Sequence, residues 1–232
     1  MGSVYGPNMV TDGLVSLYDA GNVQSYPGSG TTWYDLVGNS DSTSWTGDPT
    51  YSSANGGYFD LDDSPDYITI PHDSNHTAAK TWALWFNLNA IPTATSGSAS
   101  YTMLFQKSAN WNVATGILAH FIYGSLRFSW GLHWNSGAVI DQTTLSAATW
   151  YYFTGTCDGT TTADKMKIYL NGELKDTGTA GVVANDTSVL TIGAGNGGDM
   201  DGKIARFEIW SAELTAAQIL QNFNAHKSRF GL

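Results

Sequence analysis

Short runs of β-prone residues recur along the whole chain, and they constrain its fold more than any other feature. Each run spans four to eight residues, and clusters of Gly, Asn, Ser and Asp separate one run from the next. Many short strands divided by turn residues are typical of a sandwich or jelly roll. The predicted strands are 14–18, 58–61, 67–70, 81–88, 101–105, 117–123, 126–130, 150–156, 165–170, 189–192 and 204–210.

One turn between two of these strands has a specific sequence signature. Asn171-Gly172 stands between Tyr169-Leu170 and Glu173-Leu174. Both central residues of a type I′ turn need positive φ, which Asn and Gly tolerate. The pair therefore predicts a β-hairpin with two antiparallel strands.

The C-terminal region carries the clearest helical pattern. Thr215 and Gln218 have the spacing of a capping box. The apolar residues that follow recur at helical spacing and predict a face that docks on the sheets; they are Ala216, Ile219, Leu220 and Phe223. The predicted fold class is all-β, a two-sheet antiparallel β-sandwich with a short C-terminal α-helix. We expect one domain over residues 11–232, preceded by an N-terminal arm at residues 1–10.

Charge and hydropathy exclude two function classes. Ten basic residues stand against twenty acidic ones, a net charge of −10, so we expect no nucleic-acid binding. No stretch approaches the roughly 18 apolar residues of a membrane span, so we expect no membrane insertion. The N-terminus lacks the basic and apolar regions of a secretory signal, which predicts a protein made in the cytoplasm.

Large apolar residues within the predicted strands identify the candidate core. Trp82, Trp85, Trp150 and Trp210 all lie inside such runs, and we expect them to be buried. Cys157 is the single cysteine and ends an apolar run. A free cysteine in such a run packs like a small hydrophobe, so we expect a buried, inert thiol.

The sequence contains no constellation typical of catalysis. A retaining glycosidase needs two carboxylates about 5 Å apart, and none of Glu173, Glu208 and Glu213 has a suitably spaced acidic neighbour. No Gly-x-Ser-x-Gly elbow frames a serine. His72 and His76 are four residues apart, but Pro71 argues against a helix that would pair them. We therefore expect that the protein is not an enzyme.

Two acidic segments are candidate sites for Ca²⁺, the one cofactor that the sequence raises. The first lies between two predicted strands and would use Asp60, Asp62, Asp63 and Asp66. The second, residues 195–202, would use Asp199 and Asp201. Clustered carboxylates repel one another unless a cation or backbone N–H groups lie nearby. The alternative is that both segments are solvated turns, in which Asp is a common residue.

Two other segments combine an aromatic ring with polar neighbours, as sugar binding requires. Asn110, Trp111 and Asn112 follow one predicted strand, and His133, Trp134 and Asn135 follow another. A flat ring stacks on the apolar face of a sugar, and amide groups bind its hydroxyls. The alternative is that these tryptophans pack back onto the sandwich edge or contact another protein.

The chain also resembles a known family over nearly its entire length. Its sequence is similar to the laminin-G-like, concanavalin-A-like domains of tailed-phage virion proteins, especially those of marine and cyanobacterial phages. The motifs that carry the resemblance are Gly13-Leu14-Val15-Ser16-Leu17-Tyr18-Asp19, Asn55-Gly56-Gly57-Tyr58-Phe59-Asp60, Ile168-Tyr169-Leu170-Asn171-Gly172 and Leu214-Thr215-Ala216-Ala217-Gln218-Ile219.

This resemblance implies a concanavalin-A-like jelly roll without catalysis, made in the host cytoplasm and displayed on the virion surface. Its role there would be capsid decoration or a component of a fibre or adhesin. Its partners would be other virion proteins and, for a lectin-like role, host-surface glycans; a homo-oligomer stays open. One alternative is a purely structural virion protein. A glycan hydrolase is the least favoured, because the paired glutamates are missing.

Overall fold

The computed structural model describes most of the 232 residues. The described ranges are 8–38, 40–62, 65–92, 102–109, 116–122, 124–130, 138–141, 144–160, 165–181, 187–195 and 198–232. Their strands are β1 Leu14–Asp19, β2 Ser44–Thr46, β3 Thr50–Ser52, β4 Tyr58–Leu61, β5 Tyr67–Ile70, β6 Thr81–Leu88, β7 Thr102–Lys107, β8 Ile117–Ile122, β9 Ser125–Trp130, β10 Ala138–Asp141, β11 Trp150–Cys157, β12 Met166–Leu170, β13 Glu173–Gly178, β14 Leu190–Ile192 and β15 Gly202–Trp210. The helices are α1 Ser74–Ala78 and α2 Ala216–His226, with short 3₁₀ turns at Ala54–Gly56 and Lys227–Phe230.

In the described residues these strands form two antiparallel sheets, as the sequence predicts. The eight-stranded sheet has the order β13-β12-β11-β6-β15-β4-β3, with β1 paired to β15 beside β4. The seven-stranded sheet has the order β10-β9-β8-β7-β14-β5-β2. Neighbours in space are often distant in sequence, as in a jelly roll, and the predicted two-sheet sandwich is confirmed.

Strand β6 shows how one sheet buries both of its faces. Trp82, Leu84 and Phe86 belong to the main core between the sheets. Ala83 and Trp85 belong to a second apolar cluster. Because successive side chains on a strand point to opposite faces, the second cluster lies on the outer face of the eight-stranded sheet.

The predicted burial of four tryptophans and of Cys157 is confirmed. Trp82 packs between the sheets, stacked on Phe105 with ring centroids 5.4 Å apart. Trp85, Trp150 and Trp210 are also buried, but in the outer cluster. The Cys157 thiol is buried, and burial raises its pKa, so it is not an activated nucleophile.

Helix α2 and the 3₁₀ turn after it cover the outer cluster. Ile219 of α2 is fully buried. Phe230 stacks on Trp85 with ring centroids 4.2 Å apart, and Phe223 stacks on the same ring at 5.7 Å. The predicted docking of the C-terminal helix on the sandwich is therefore confirmed.

The docked face of α2 differs from the predicted stripe. Ala216 and Leu220 are exposed, so their assignment to the stripe was wrong. Asn222 is buried instead, and its side-chain oxygen accepts a hydrogen bond from Val10 N at 2.7 Å. A buried amide satisfies a backbone donor of the N-terminal segment here, which an apolar residue cannot do.

A buried ionic network ties the C-terminal segment to the sheet beneath it. The Arg206 guanidinium pairs with Asp19 at 2.6 Å and also with Glu208. Arg229 donates to Asp19 at 2.7 Å and to the carbonyl oxygen of Gly57 at 2.6 Å. Burial raises the pKa of Asp19, but the two guanidinium groups outweigh it and hold that pKa below its usual value.

The local turn and cap predictions also hold. Asn171 and Gly172 have φ values of 53° and 82°, and they join β12 to β13. Thr215 and Gln218 form the predicted capping box of α2. Against the sequence prediction, a short helix α1 follows Pro71, with Asp73 as its N-cap and His76 inside it; His72 precedes it.

Two further findings concern the chain's periphery. Among the described helices, none combines the length and apolar character needed to cross a membrane. Residues 8–10, assigned by sequence to an arm, contact α2 and β15, since Gln221 donates to the carbonyl oxygen of Asn8 and Trp210 to that of Val10.

Candidate ligand-binding site

A cleft of about 400 Å³ opens beside strands β5, β7 and β14 of the seven-stranded sheet. Its volume falls within the range of small-ligand sites, roughly 300 to 1,000 Å³. The lining residues that matter for its chemistry are Tyr67, Gln106, Ser108, Thr191, Gly195 and Asp199. They provide one aromatic ring, one amide, two hydroxyls and one carboxylate.

Strand alternation explains why polar side chains meet at this face. Leu190 and Ile192 of β14 point into the core, so Thr191 between them points to the outer face. Thr191 lies opposite Gln106 of β7 in the register of the two strands. Gln106 follows the core residue Phe105 and therefore shares the outer face with Thr191.

Hydrogen bonds hold the two polar side chains in fixed positions. The Gln106 amide donates to the carbonyl oxygen of Ser108 at 3.1 Å. The Thr191 hydroxyl donates to the carbonyl oxygen of Ala194 at 2.8 Å. With its one proton engaged, the Thr191 oxygen presents acceptor lone pairs. A ligand therefore meets groups whose rotamers are already set, which lowers the entropic cost of binding.

The absence of a side chain at Gly195 keeps one wall of the cleft open. A Cβ atom there would lie 2.2 Å from the Gln106 side-chain oxygen, which is closer than real contacts allow. The segment that contains Gly195 is attached to β7, because Gly193 N donates to Leu104 O at 3.0 Å and Met103 N to Gly198 O at 3.3 Å. These bonds position Asp199 at the cleft.

The acidic residues proposed for Ca²⁺ differ in their contacts and burial. Asp60 lies 3.8 Å from Lys203, and Asp201 accepts a hydrogen bond from Asn89 at 2.7 Å. Asp66 is buried and accepts from Asp48 N at 3.0 Å, while Asp199 lines the cleft. Asp62 is exposed, and Asp63 lies outside the described residues.

Charge effects at Asp60 show that Asp62 and Asp201 lie within electrostatic reach of it. Burial, with smaller contributions from Asp62 and Asp201, raises its pKa, and Lys203 opposes that rise. Within the described ranges, no group of three or more His, Cys, Asp or Glu side chains is arranged to hold a metal ion. The Ca²⁺ site stays a prediction.

The residues proposed for sugar stacking lie outside the described ranges. This holds for both segments, namely Asn110, Trp111 and Asn112, and His133, Trp134 and Asn135. The first segment nevertheless begins directly after Ala109, which lines the cleft. Their role in binding stays a prediction.

Sequence reasoning did not single out Tyr67, Gln106 or Thr191. Each is a single polar or amphipathic residue within a predicted strand or directly after one. Such a residue does not by itself indicate a ligand-binding role. Alternation alone predicts that Thr191 faces outward between two core residues. It does not predict that Tyr67 and Gln106, from two other strands, lie beside it.

The fold and the cleft together define a class of protein, a lectin-like two-sheet sandwich with a ligand-sized cleft on one outer face. The chain belongs to the concanavalin A-like lectin/glucanases superfamily, because the Laminin_G_3 family of that description matches residues 62–220. This result confirms the family-level fold that the sequence motifs implied. No curated protein sequence is significantly similar to the chain.

Several solved structures have the same fold. The botulinum neurotoxin serotype D binding domain has a TM-score of 0.66 at 17% identity, over 93% of this chain and 52% of that one. The receptor-binding domain of botulinum neurotoxin type G has a TM-score of 0.60 at 15% identity, over 90% and 50%. Trypanosoma rangeli sialidase in complex with sialic acid has a TM-score of 0.65 at 12% identity, over 98% and 36%. The chain thus spans about half of the toxin domains and about a third of the sialidase, and at these identities the likeness shows the fold alone.

Proposed function

We propose that this chain is a non-catalytic glycan-binding protein of a tailed-phage virion surface, acting as capsid decoration or as a fibre or adhesin component. The observation that carries the glycan-binding part is the cleft of Tyr67, Gln106, Thr191 and Asp199 on the seven-stranded sheet. The superfamily assignment supports a lectin-like role. The phage assignment is supported by the sequence resemblance of the opening, hairpin and C-terminal motifs.

The chemistry of the cleft suits a sugar. The ring of Tyr67 offers an apolar surface for the C–H face of a pyranose. The Gln106 amide and the Ser108 hydroxyl can donate to and accept from vicinal hydroxyl groups, and the Thr191 oxygen can accept from them. The proposed contribution of Trp111 would add a second stacking surface from the segment that begins after Ala109.

Several observations support a non-catalytic role. Glu173 pairs with Lys175, Glu213 with Lys167, and Glu208 with Arg206. Asp199 is the one carboxylate among the lining residues that the structure describes. Glycoside hydrolysis by the common mechanisms needs two carboxylates flanking the bond, so the cleft is better suited to binding than to cleavage.

Display on a virion would compensate for weak binding at one site. A shallow cleft that holds one or two sugar units gives modest affinity, and many linked copies raise the effective affinity by orders of magnitude. Contacts with other virion proteins, or between copies of this chain, would provide that multivalency.

A purely structural virion role is the second candidate, and one observation favours it. Val23, Tyr34 and Val37 are exposed apolar residues of the segment between β1 and β2, with Val23 77% exposed. Exposed apolar residues of this kind are suited to a protein contact. Under this alternative, the partner would be a neighbouring virion protein and the cleft would be unused.

The test is binding of the full chain to a glycan array, followed by three matched variants. Tyr67→Ala should weaken binding of the best glycan at least about tenfold, because it removes the stacking surface. Tyr34→Ala, a tyrosine 43% exposed outside the cleft, is the control and should bind normally. The double variant Trp111→Ala/Trp134→Ala tests the proposed loop platforms.

Each outcome decides between the candidates. Loss of binding in Tyr67→Ala, at an unchanged melting temperature, supports the cleft. Loss only in the double tryptophan variant moves the glycan site to the loops. A third outcome is that the unmodified chain binds no glycan but is incorporated normally into virions, and that Tyr34→Ala disrupts this incorporation. That outcome contradicts the lectin-like role and supports the structural one.

A further inference from the structure

We infer that the cleft selects uncharged sugars and rejects those that carry a carboxylate, sulfate or phosphate; this inference rests on the proposed glycan-binding function. The described lining residues provide an amide, hydroxyls, a phenol and the Asp199 carboxylate. None of these groups carries a positive charge at neutral pH.

The location of every basic side chain supports this inference. All ten Lys and Arg residues fall within the described ranges, so the segments outside them contribute none to the cleft. Six are already paired with carboxylates elsewhere: Lys165, Lys167, Lys175, Lys203, Arg206 and Arg229. The other four are Lys80, Lys107, Arg127 and Lys227.

None of these four basic residues is among the described residues that line the cleft, and two of them lie on other parts of the fold. Lys80 immediately precedes β6 in the eight-stranded sheet, and Lys227 lies over the Phe223 ring at 5.6 Å, beside α2. Arg127 shares the outer face of the seven-stranded sheet, and β8 separates its strand from β7, the nearest strand that lines the cleft. At about 4.8 Å per strand, β9 and β7 are roughly 10 Å apart.

Lys107 is the nearest cation, but it is buried and is not itself among the lining residues. It is 1% exposed and lies opposite the core residue Leu190 in the sheet register. Its Nζ donates to the carbonyl oxygen of Ser188, a lining residue, and lies 3.3 Å from His72 Nδ1. An anionic sugar therefore meets no exposed cation in the cleft, whereas it does meet Asp199.

The electrostatic consequence is a large difference in affinity. A second negative charge within a few ångströms of Asp199 raises the free energy of the complex, and the chain's net charge of −10 adds a weaker repulsion. We expect an anionic sugar to bind at least about tenfold more weakly than its neutral counterpart at low salt. The difference should shrink as salt screens the repulsion.

The experiment compares three forms of one glycan with the full chain, in buffer that contains a chelator. The probes are the best neutral oligosaccharide from the array, the same molecule oxidised at C6 to a uronate, and the methyl ester of that uronate. We expect the ester to bind within about threefold of the neutral parent and the free uronate at least about tenfold more weakly. The ester controls for size, because it differs from the uronate mainly in charge.

Asp199→Asn tests whether this carboxylate causes the selectivity. The ratio of uronate affinity to neutral affinity should rise by about tenfold in this variant, whatever happens to the neutral affinity itself. Asp12→Asn, which removes an exposed carboxylate outside the cleft, should leave the ratio unchanged.

Several results would overturn the inference. Equal binding of the uronate and its ester contradicts it, and so does an unchanged ratio in Asp199→Asn, while both leave the glycan-binding function intact. If the chain binds no glycan in any form, both the proposed function and the inferred selectivity are contradicted.

Discussion

His76 is a histidine held neutral in the interior of the sandwich. It is fully buried, and its Nε2 lies 2.8 Å from the Ser16 hydroxyl. Burial, aided by Lys107 and His72 and opposed by Asp73, lowers its pKa to about 4. A charged imidazole here would lose its hydration without gaining a partner, which is why the neutral form is favoured.

The stability of the fold should therefore fall in a defined pH window. Unfolded His76 takes up a proton near its ordinary value of 6.5, whereas the folded side chain stays neutral until about pH 4. The unfolded state binds more protons in between, so stability is lost as the pH falls through this window, by about 3 kcal/mol in total. Denaturant unfolding at several pH values measures the slope.

The variant His76→Gln separates this effect from the other acidic titrations. Glutamine can keep a hydrogen bond to Ser16 but does not titrate, so the loss of stability between pH 6.5 and pH 4 should become smaller. An equal slope in the variant, or an imidazole that titrates near 6.5 by NMR, would contradict the assignment.

Single residues differ in how far the sequence predicts them. The Asn171-Gly172 turn was predictable because its positive φ values follow from the two residues alone. The role of His76 as a buried, neutral partner of Ser16 was not predictable, because Ser16 lies 60 residues earlier in the chain. A turn depends on adjacent residues, whereas a buried polar contact such as this one depends on residues that only the fold brings together.

At the scale of elements, α2 and the turn after it act as a lid on the eight-stranded sheet. Phe230 is 5% exposed and contacts both Trp85 and Trp150. Phe230→Ala should lower the free energy of unfolding by about 3–5 kcal/mol, because it leaves a cavity between two large rings. Leu220→Ala is the matched control from the same segment, since Leu220 is 44% exposed.

The control should change stability by no more than about 0.5–1 kcal/mol. Thermal or urea unfolding of the two variants gives the comparison directly. Similar losses in both, or none in Phe230→Ala, would show that the C-terminal segment is not packed on the sheet as described.

Most strands were predictable from sequence, including β4 and β5 with four residues and β14 with three. The bounds of β4, β5 and β6 match the predicted runs, because several alternating or apolar residues define each. Strands β2, β3 and β10 have only three or four residues and were missed. The helix α1 was also missed, since the cap at Asp73 restarts regular structure soon after Pro71.

The burial of both faces of the eight-stranded sheet was predicted only in part. Trp82 and Trp85 lie on one predicted strand, and both were expected in the core. They differ by an odd number of positions, so they face opposite sides of the sheet. The spacing of the two tryptophans shows that they face opposite sides of the sheet. The outer side is buried only because α2 and the turn after it cover it.

At the scale of the whole molecule, the fold was far more predictable than the cleft. Strand periodicity and family-like motifs were sufficient for the sandwich. The cleft depends on the order β7-β14-β5, in which the central strand comes last in the sequence. No local pattern reveals this crossover, so Tyr67, Gln106 and Thr191 were not recognised as neighbours.

We propose the cleft beside β14 as the glycan site of this lectin-like sandwich. Backbone amide chemical shifts, measured by NMR while the best neutral glycan is titrated into the full chain, test it most directly. We expect the amides of Tyr67, Gln106, Thr191 and Gly195 to shift together with one dissociation constant, while those of Glu173–Gly178 on β13 stay unchanged. Shifts confined to another surface, with the cleft amides unchanged at saturation, would contradict it.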